Sequence, residues 1–264
     1  MTYEKKKNNT FDAIWKGLIE DLFVEFMHFF FPNADDIFDL TSYEFLDKEL
    51  DEIYPEEPGE NRRHVDKLVK LKLKCGGEQW LLLHIEVDGR GGIKFGARMF
   101  TYYYRIFDRY GQHITALAIF TGKQRKRNTP DRFVQEVLGT RLEYKYNTYR
   151  IVDQSDDDLK ANLENPFAQI ILAAKTGLLS GKLSDEELMT RHEWIFSALD
   201  KSLSVRKKLS VFAFIKKFVH FSDSENNAIF DKKLEGIINK KDNMGVIEVN
   251  IPSARRRGLV TTVG

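Results

Sequence analysis

Two short stretches carry residue types that could do chemistry together. One is His64-Val-Asp66. The other, His84-Ile-Glu86-Val-Asp88, begins eighteen residues after Asp66. Carboxylates held close together repel, and the usual counter-charge is a hard divalent cation with oxygen ligands. Asp66 and Glu86 on one ion would suit metal-dependent hydrolysis of a phosphodiester. The bland alternative is a pair of solvated acids on an exposed sheet face.

Strands are the elements that could position them. Within 64–74, Val65, Val69, Leu71 and Leu73 alternate with Asp66, Lys70, Lys72 and Lys74, with Leu68 out of pattern. Within 80–88, Leu81, Leu83, Ile85 and Val87 alternate with His84, Glu86 and Asp88. A period of two predicts β-strands. Cys75-Gly-Gly77 suits a hairpin turn between them, which would bring Asp66 and Glu86 to one sheet edge.

Other elements follow from spacing. An apolar stripe through Ile14, Trp15, Leu18, Leu22, Phe26, Phe29 and Phe30 predicts one helix, started near Thr10 and stopped at Pro32-Asn33. A short helix is expected around 42–52, then a Pro/Gly loop at 54–61. Gly89 to Gly92 reads as a turn without a dinucleotide fingerprint. Residues 95–110 have helical spacing, ended by Gly111, with Phe100 and Phe107 expected in the core. Arg98 and Tyr102, four apart, share a face. The run 113–121 reads as a buried strand, and another strand is expected within 142–152. A helix between two strands suggests a crossover that sets them parallel. Residues 165–180, 184–199 and 201–220 read as helices, with Ser184-Asp-Glu-Glu187 a start signal. The organisation is thus an α/β core over 10–153, a helical extension over 154–243, and a tail over 244–264 with no readable pattern.

Composition narrows the classes. The chain has 264 residues, 42% hydrophobic, so it can bury a sizeable core. Its formal net charge is +1, so nucleic-acid binding would need a local basic patch, such as Arg125-Lys126-Arg127. The single cysteine, Cys75, rules out an internal disulfide and suits a reducing compartment. No apolar signal core opens the chain, and 18–31 is too charged to span a bilayer. A cytoplasmic protein without membrane association is expected.

Asp66, the HIEVD run at 84–88, the run from Ala97 to Ile106 (ARMFTYYYRI) and Leu117-Ala-Ile-Phe-Thr121 together resemble the Rpn family. These are recombination-promoting nucleases and transposases within the PD-(D/E)XK nuclease superfamily. Phe45-Leu-Asp-Lys-Glu-Leu50 and Asn165-Pro-Phe167 also fit, and the resemblance covers roughly 10–180. It implies a restriction-endonuclease-like mixed sheet flanked by helices, with the acids on central strands.

The resemblance also implies roles. Asp66 matches the metal-binding Asp, and Glu86 the (D/E) of the motif. Asp66, Glu86 and the Val87 carbonyl would hold Mg²⁺ or Mn²⁺, with Glu49 a looser match to an upstream helix acid. Position 88 usually carries Lys in the superfamily and Gln in this family; here it is Asp88. Asp88 would add negative charge, leaving Lys70, Lys72, Lys94 or Arg98 to supply the missing positive group. Lys70, Lys72, Arg125, Lys126 and Arg127 are the candidate DNA contacts. The expected function is metal-dependent DNA endonuclease activity tied to recombination or a mobile element. Alternatives are an impaired DNA-binding member and a non-enzymatic interaction protein that keeps the fold. A homodimer stays open.

Overall fold

The computed structural model describes residues 14–53, 64–74, 80–88, 94–122, 130–179, 183–198, 203–218 and 221–239. The expected turns at 75–77 and 89–92, the loop at 54–61, the basic run 125–127 and the tail 244–264 lie outside them. So do the side chains of His64, Val65 and Asp66, although their strand is described.

The expected N-terminal helix is two helices, α1 (14–21) and α2 (Phe23–Phe30). Leu22 breaks them, at φ −123° and ψ 32°. After a single turn, α3 (Ala34–Ile37), comes β1 (Phe38–Phe45), which takes the first four residues of the helix expected at 42–52. Its local pattern is overridden by antiparallel pairing with β2 (His64–Leu73), and by Phe23 packing on Tyr43 and Phe45 at 4.5 and 5.3 Å. The helix, α4 (Asp47–Ile53), starts only beyond it.

β2 pairs antiparallel with β3 (Trp80–Asp88), as the alternation requires. α5 (Phe95–Tyr110) then crosses over to β4 (His113–Phe120), parallel to β3. Gly111 closes α5 in the left-handed region, at φ +59°, where a side chain would be strained. The expected strand within 142–152 is two short ones. β6 (Thr140–Lys145) forms a separate hairpin with β5 (Arg132–Val137), and β7 (Asn147–Arg150) joins β4 in parallel. The result is a mixed five-stranded sheet, ordered β1-β2-β3-β4-β7, flanked by helices.

After a 3₁₀ turn at Ile151–Asp153 come α6 (Asp156–Ala161), α7 (Pro166–Leu179), α8 (Asp185–Ala198), α9 (Val205–Phe218) and α10 (Ser224–Asn239). α8 opens with a reciprocal capping box. The Glu187 N–H donates to Ser184 Oγ at 3.2 Å, and the Ser184 N–H to Glu187 Oε2 at 2.8 Å. α7 is buried all round from Pro166 to Thr176, which is why it lacks a polar face. Asn165 sets its start: it accepts the Phe167 N–H at 2.8 Å and donates to the Glu25 carbonyl at 3.0 Å. Phe167 then meets the Phe26 ring edge-on at 5.1 Å.

Both faces of the sheet are covered. Val69, Leu71, Leu83, Ile85, Val87, Leu117 and Ile119 share one large core with α1, α2, α7 and α9. On the other face, Leu68 and Leu82 pack with Tyr102 and Ile106 of α5, while Ala116, Ala118 and Phe120 pack with its Phe95 and Met99. Leu68 therefore fits its own face. Phe100 and Phe107 do not enter the core. Phe100 stacks on Phe133 of the hairpin at 5.2 Å, and Phe107 is half exposed, because α5 turns Tyr102 and Ile106 to the sheet instead. Among the described residues no helix is long and apolar enough to cross a membrane.

Two features of this frame give testable outcomes. The hairpin start presses on α5 at Gly96, where an added Cβ would sit 2.7 Å from the Arg132 carbonyl oxygen. Gly96→Ala should force the backbones apart and cost about 1–3 kcal/mol, as overpacking does; thermal melts check it, and an unchanged melt would mean the hairpin moves freely.

Asp156 ties α6 to the layer behind. It pairs with the buried Lys175, and its Oδ2 accepts from Arg191 at 2.7 Å. Burial pushes its pKa up, but the Lys175 hydrogen bond and the Lys175 and Arg191 charges outweigh this and hold the carboxyl below its ordinary range. A depressed carboxyl stabilises the fold above its unfolded pKa and loses that contribution as pH falls through its folded value. Acid unfolding followed in wild type and Asp156→Asn should show wild type losing more stability below about pH 4, where unfolded carboxylates protonate; parallel curves would contradict this.

Candidate functional site

The site is built where β3 ends and α5 begins. β3 is paired on both edges, so its backbone is fixed. Its alternation puts Leu82, His84, Glu86 and Asp88 on the α5 side and Ile85 and Val87 in the main core. α5 runs back along the strand. Residues 98, 102 and 106 therefore meet it in reverse order, Arg98 at Glu86 and Asp88, Tyr102 at His84, and Ile106 at Leu82.

The polar geometry is tight. Arg98 Nη2 donates to Glu86 Oε1 at 2.8 Å and to Asp88 Oδ2 at 2.6 Å, and Arg98 Nε donates to Glu86 Oε1 at 3.1 Å. The Glu86 side chain is fully buried and that of Asp88 is 4% exposed, whereas Arg98 is 22% exposed. The guanidinium also lies over the Phe95 ring, 4.9 Å from its centroid. His84 Nε2 is 3.8 Å from Glu86 Oε2, beyond hydrogen-bond length, and its ring packs on Tyr102 at 4.8 Å.

Asp66 pairs directly with Glu86 in the β2–β3 ladder, and opposed positions of an antiparallel pair lie on one face. The backbone thus brings the two acid positions together. Val87 lies between Glu86 and Asp88 in the doubly paired strand. Among the described residues, which leave out the Asp66 side chain, no group of three or more His, Cys, Asp or Glu is arranged to hold a metal.

Glu49, Lys70 and Lys72 are not gathered here. Glu49 on α4 sits beside Tyr110, whose hydroxyl is pushed up by burial and further by the Glu49 charge. Tyr110 is twelve residues along α5 from Arg98, about 18 Å at 1.5 Å per residue. Lys70 and Lys72 pair with Glu44 and Asp39 of β1. They are four and six residues along β2 from Asp66, about 13 and 20 Å away along the strand. Arg125, Lys126 and Arg127 lie outside the described residues.

Two charged residues went unread in the sequence. Arg150, at the end of β7, aligns with Phe120 of β4, which aligns with Asp88 of β3. Its guanidinium lies over the Phe120 ring at 5.1 Å and its Nε is 3.5 Å from Asp153 Oδ2. The row Asp88, Phe120, Arg150 marks the carboxyl ends of the parallel strands, the edge where open α/β sheets place ligands. Lys67 is the other: it is fully buried and bonded to Glu20 and Asp47.

No family model matches this chain, and no curated protein or solved structure matches it.

Proposed function

We propose that this chain is a metal-dependent DNA endonuclease of the Rpn type, built on a restriction-endonuclease-like version of the mixed sheet. The observation that carries the reading is the pairing of the Asp66 position with Glu86, one strand position from the Val87 carbonyl and two from Asp88. The donor chemistry fits a hard divalent ion, because these are oxygen ligands whose positions are adjacent in the β2–β3 ladder. Asp66, Glu86 and the Val87 carbonyl would hold it. Mg²⁺ or Mn²⁺, when bound, supplies a low-pKa water and charge stabilisation for a phosphate.

The chain's own residues do the rest. Glu86 stands on a strand paired on both edges, so the backbone under its carboxylate is preorganised. Arg98 reaches solvent and is the cation closest to these acids in the described geometry; it would hold the scissile phosphate. Tyr102 and His84 back the acids and exclude water beneath them. The second reading, an impaired member that binds DNA without cutting it, is favoured by one observation: Asp88 occupies the place of the usual Lys or Gln and engages Arg98.

Supercoiled plasmid incubated with the protein in Mg²⁺ or Mn²⁺ separates the readings. Nicking that stops in EDTA supports the endonuclease. Gel retention without nicking supports the impaired binder, and neither result supports the interaction protein.

A further inference from the structure

We infer that Arg98 is a built-in competitor for the divalent ion: its guanidinium takes the Glu86 oxygen that the ion would need, and it gives up that oxygen when the ion enters. This rests on the proposed metal site.

The argument is one of shared oxygens. Glu86 Oε1 accepts two N–H groups of Arg98, and the same Nη2 reaches Asp88 Oδ2. An ion bound to Glu86 would stand beside the guanidinium as a like charge, so the two cations exclude each other at that carboxylate. The backbone that carries the acids is fixed, because β3 is paired with both β2 and β4. Arg98 can. It sits in the first turn of α5, on a long stem, with part of its side chain already in solvent. Its exposed side is the side a phosphate would approach. Displacement therefore converts a capping residue into a phosphate-binding one, and ion and phosphate binding favour each other. Asp88 acquires a role here as a positioning residue: it holds Arg98 at the edge, where a cation is needed for the phosphate.

The test is Mn²⁺ binding by titration calorimetry on the full chain, comparing wild type with Arg98→Gln, which keeps N–H donors but removes the charge. About tenfold tighter Mn²⁺ binding in Arg98→Gln is expected, the lower end of what close charge pairs contribute. Equal or weaker binding overturns the competition. Glu86→Gln should abolish Mn²⁺ binding in both backgrounds; binding that survives it overturns the metal-site reading itself, whatever Arg98 does. A measurement on wild type needs no folded variant. The Arg98 Nε–H, followed by nitrogen-15 NMR, should be protected from exchange without ion and lose protection at saturating Mg²⁺. Protection that persists at saturation overturns the inference.

Discussion

Replacing Glu86 with Gln should abolish cleavage while leaving the fold intact. The substitution keeps the side-chain shape and removes the charge that would hold the ion, so a loss on the order of a thousandfold or more is expected. The fold should survive because Arg98 retains Asp88 at 2.6 Å and Gln can still accept a hydrogen bond. Single-turnover nicking rates with matched urea unfolding curves check both halves. A variant that unfolds cooperatively and still nicks DNA at the wild-type rate would remove Glu86 from the chemistry.

The largest stability effect is expected at Lys67. Its side chain is fully buried, whereas its partners Glu20 and Asp47 are 47% and 30% exposed. Removing the acids therefore strands a buried cation, and removing the cation strands acids that water can reach. Glu20→Gln combined with Asp47→Asn should cost about 3–5 kcal/mol, the range for breaking a buried pair from one side. Lys67→Met should cost clearly less, because Met fills the stem's volume beside Phe45, over whose ring the ammonium now lies at 4.9 Å. Urea unfolding of the three proteins reads the order directly. The reverse order would mean that the cluster is held by packing of the lysine stem and not by charge.

These two residues also mark how far the sequence could be read. Glu86 and Asp88 were legible because strand alternation is local, and Arg98 because a spacing of four residues puts it on one helix face with Tyr102. The parallel crossover from β3 to β4 followed from a helix between two strands, as found. Lys67 was not legible: its burial depends on acids 47 and 20 residues away, brought over it by α1 and the start of α4. The same limit applies to Asp88. From sequence, Lys70, Lys72, Lys94 and Arg98 are all candidates for the cation beside it; only the fold, which lays α5 back along β3, singles out Arg98. β1 was misread because its pattern is set by pairing with β2 and by packing under Phe23. The β5–β6 hairpin was not anticipated, since it forms a separate sheet and is held by packing on α5.

The most direct test of the central claim is to locate the ion. Fe²⁺ loaded in place of Mg²⁺, with ascorbate and peroxide, cuts the backbone beside its own binding site. Fragments ending near 64–67 and 84–88 are predicted, suppressed by excess Mg²⁺ and absent in Glu86→Gln. Cutting elsewhere in the chain, or an unchanged pattern in Glu86→Gln, would contradict a metal centre at this sheet edge.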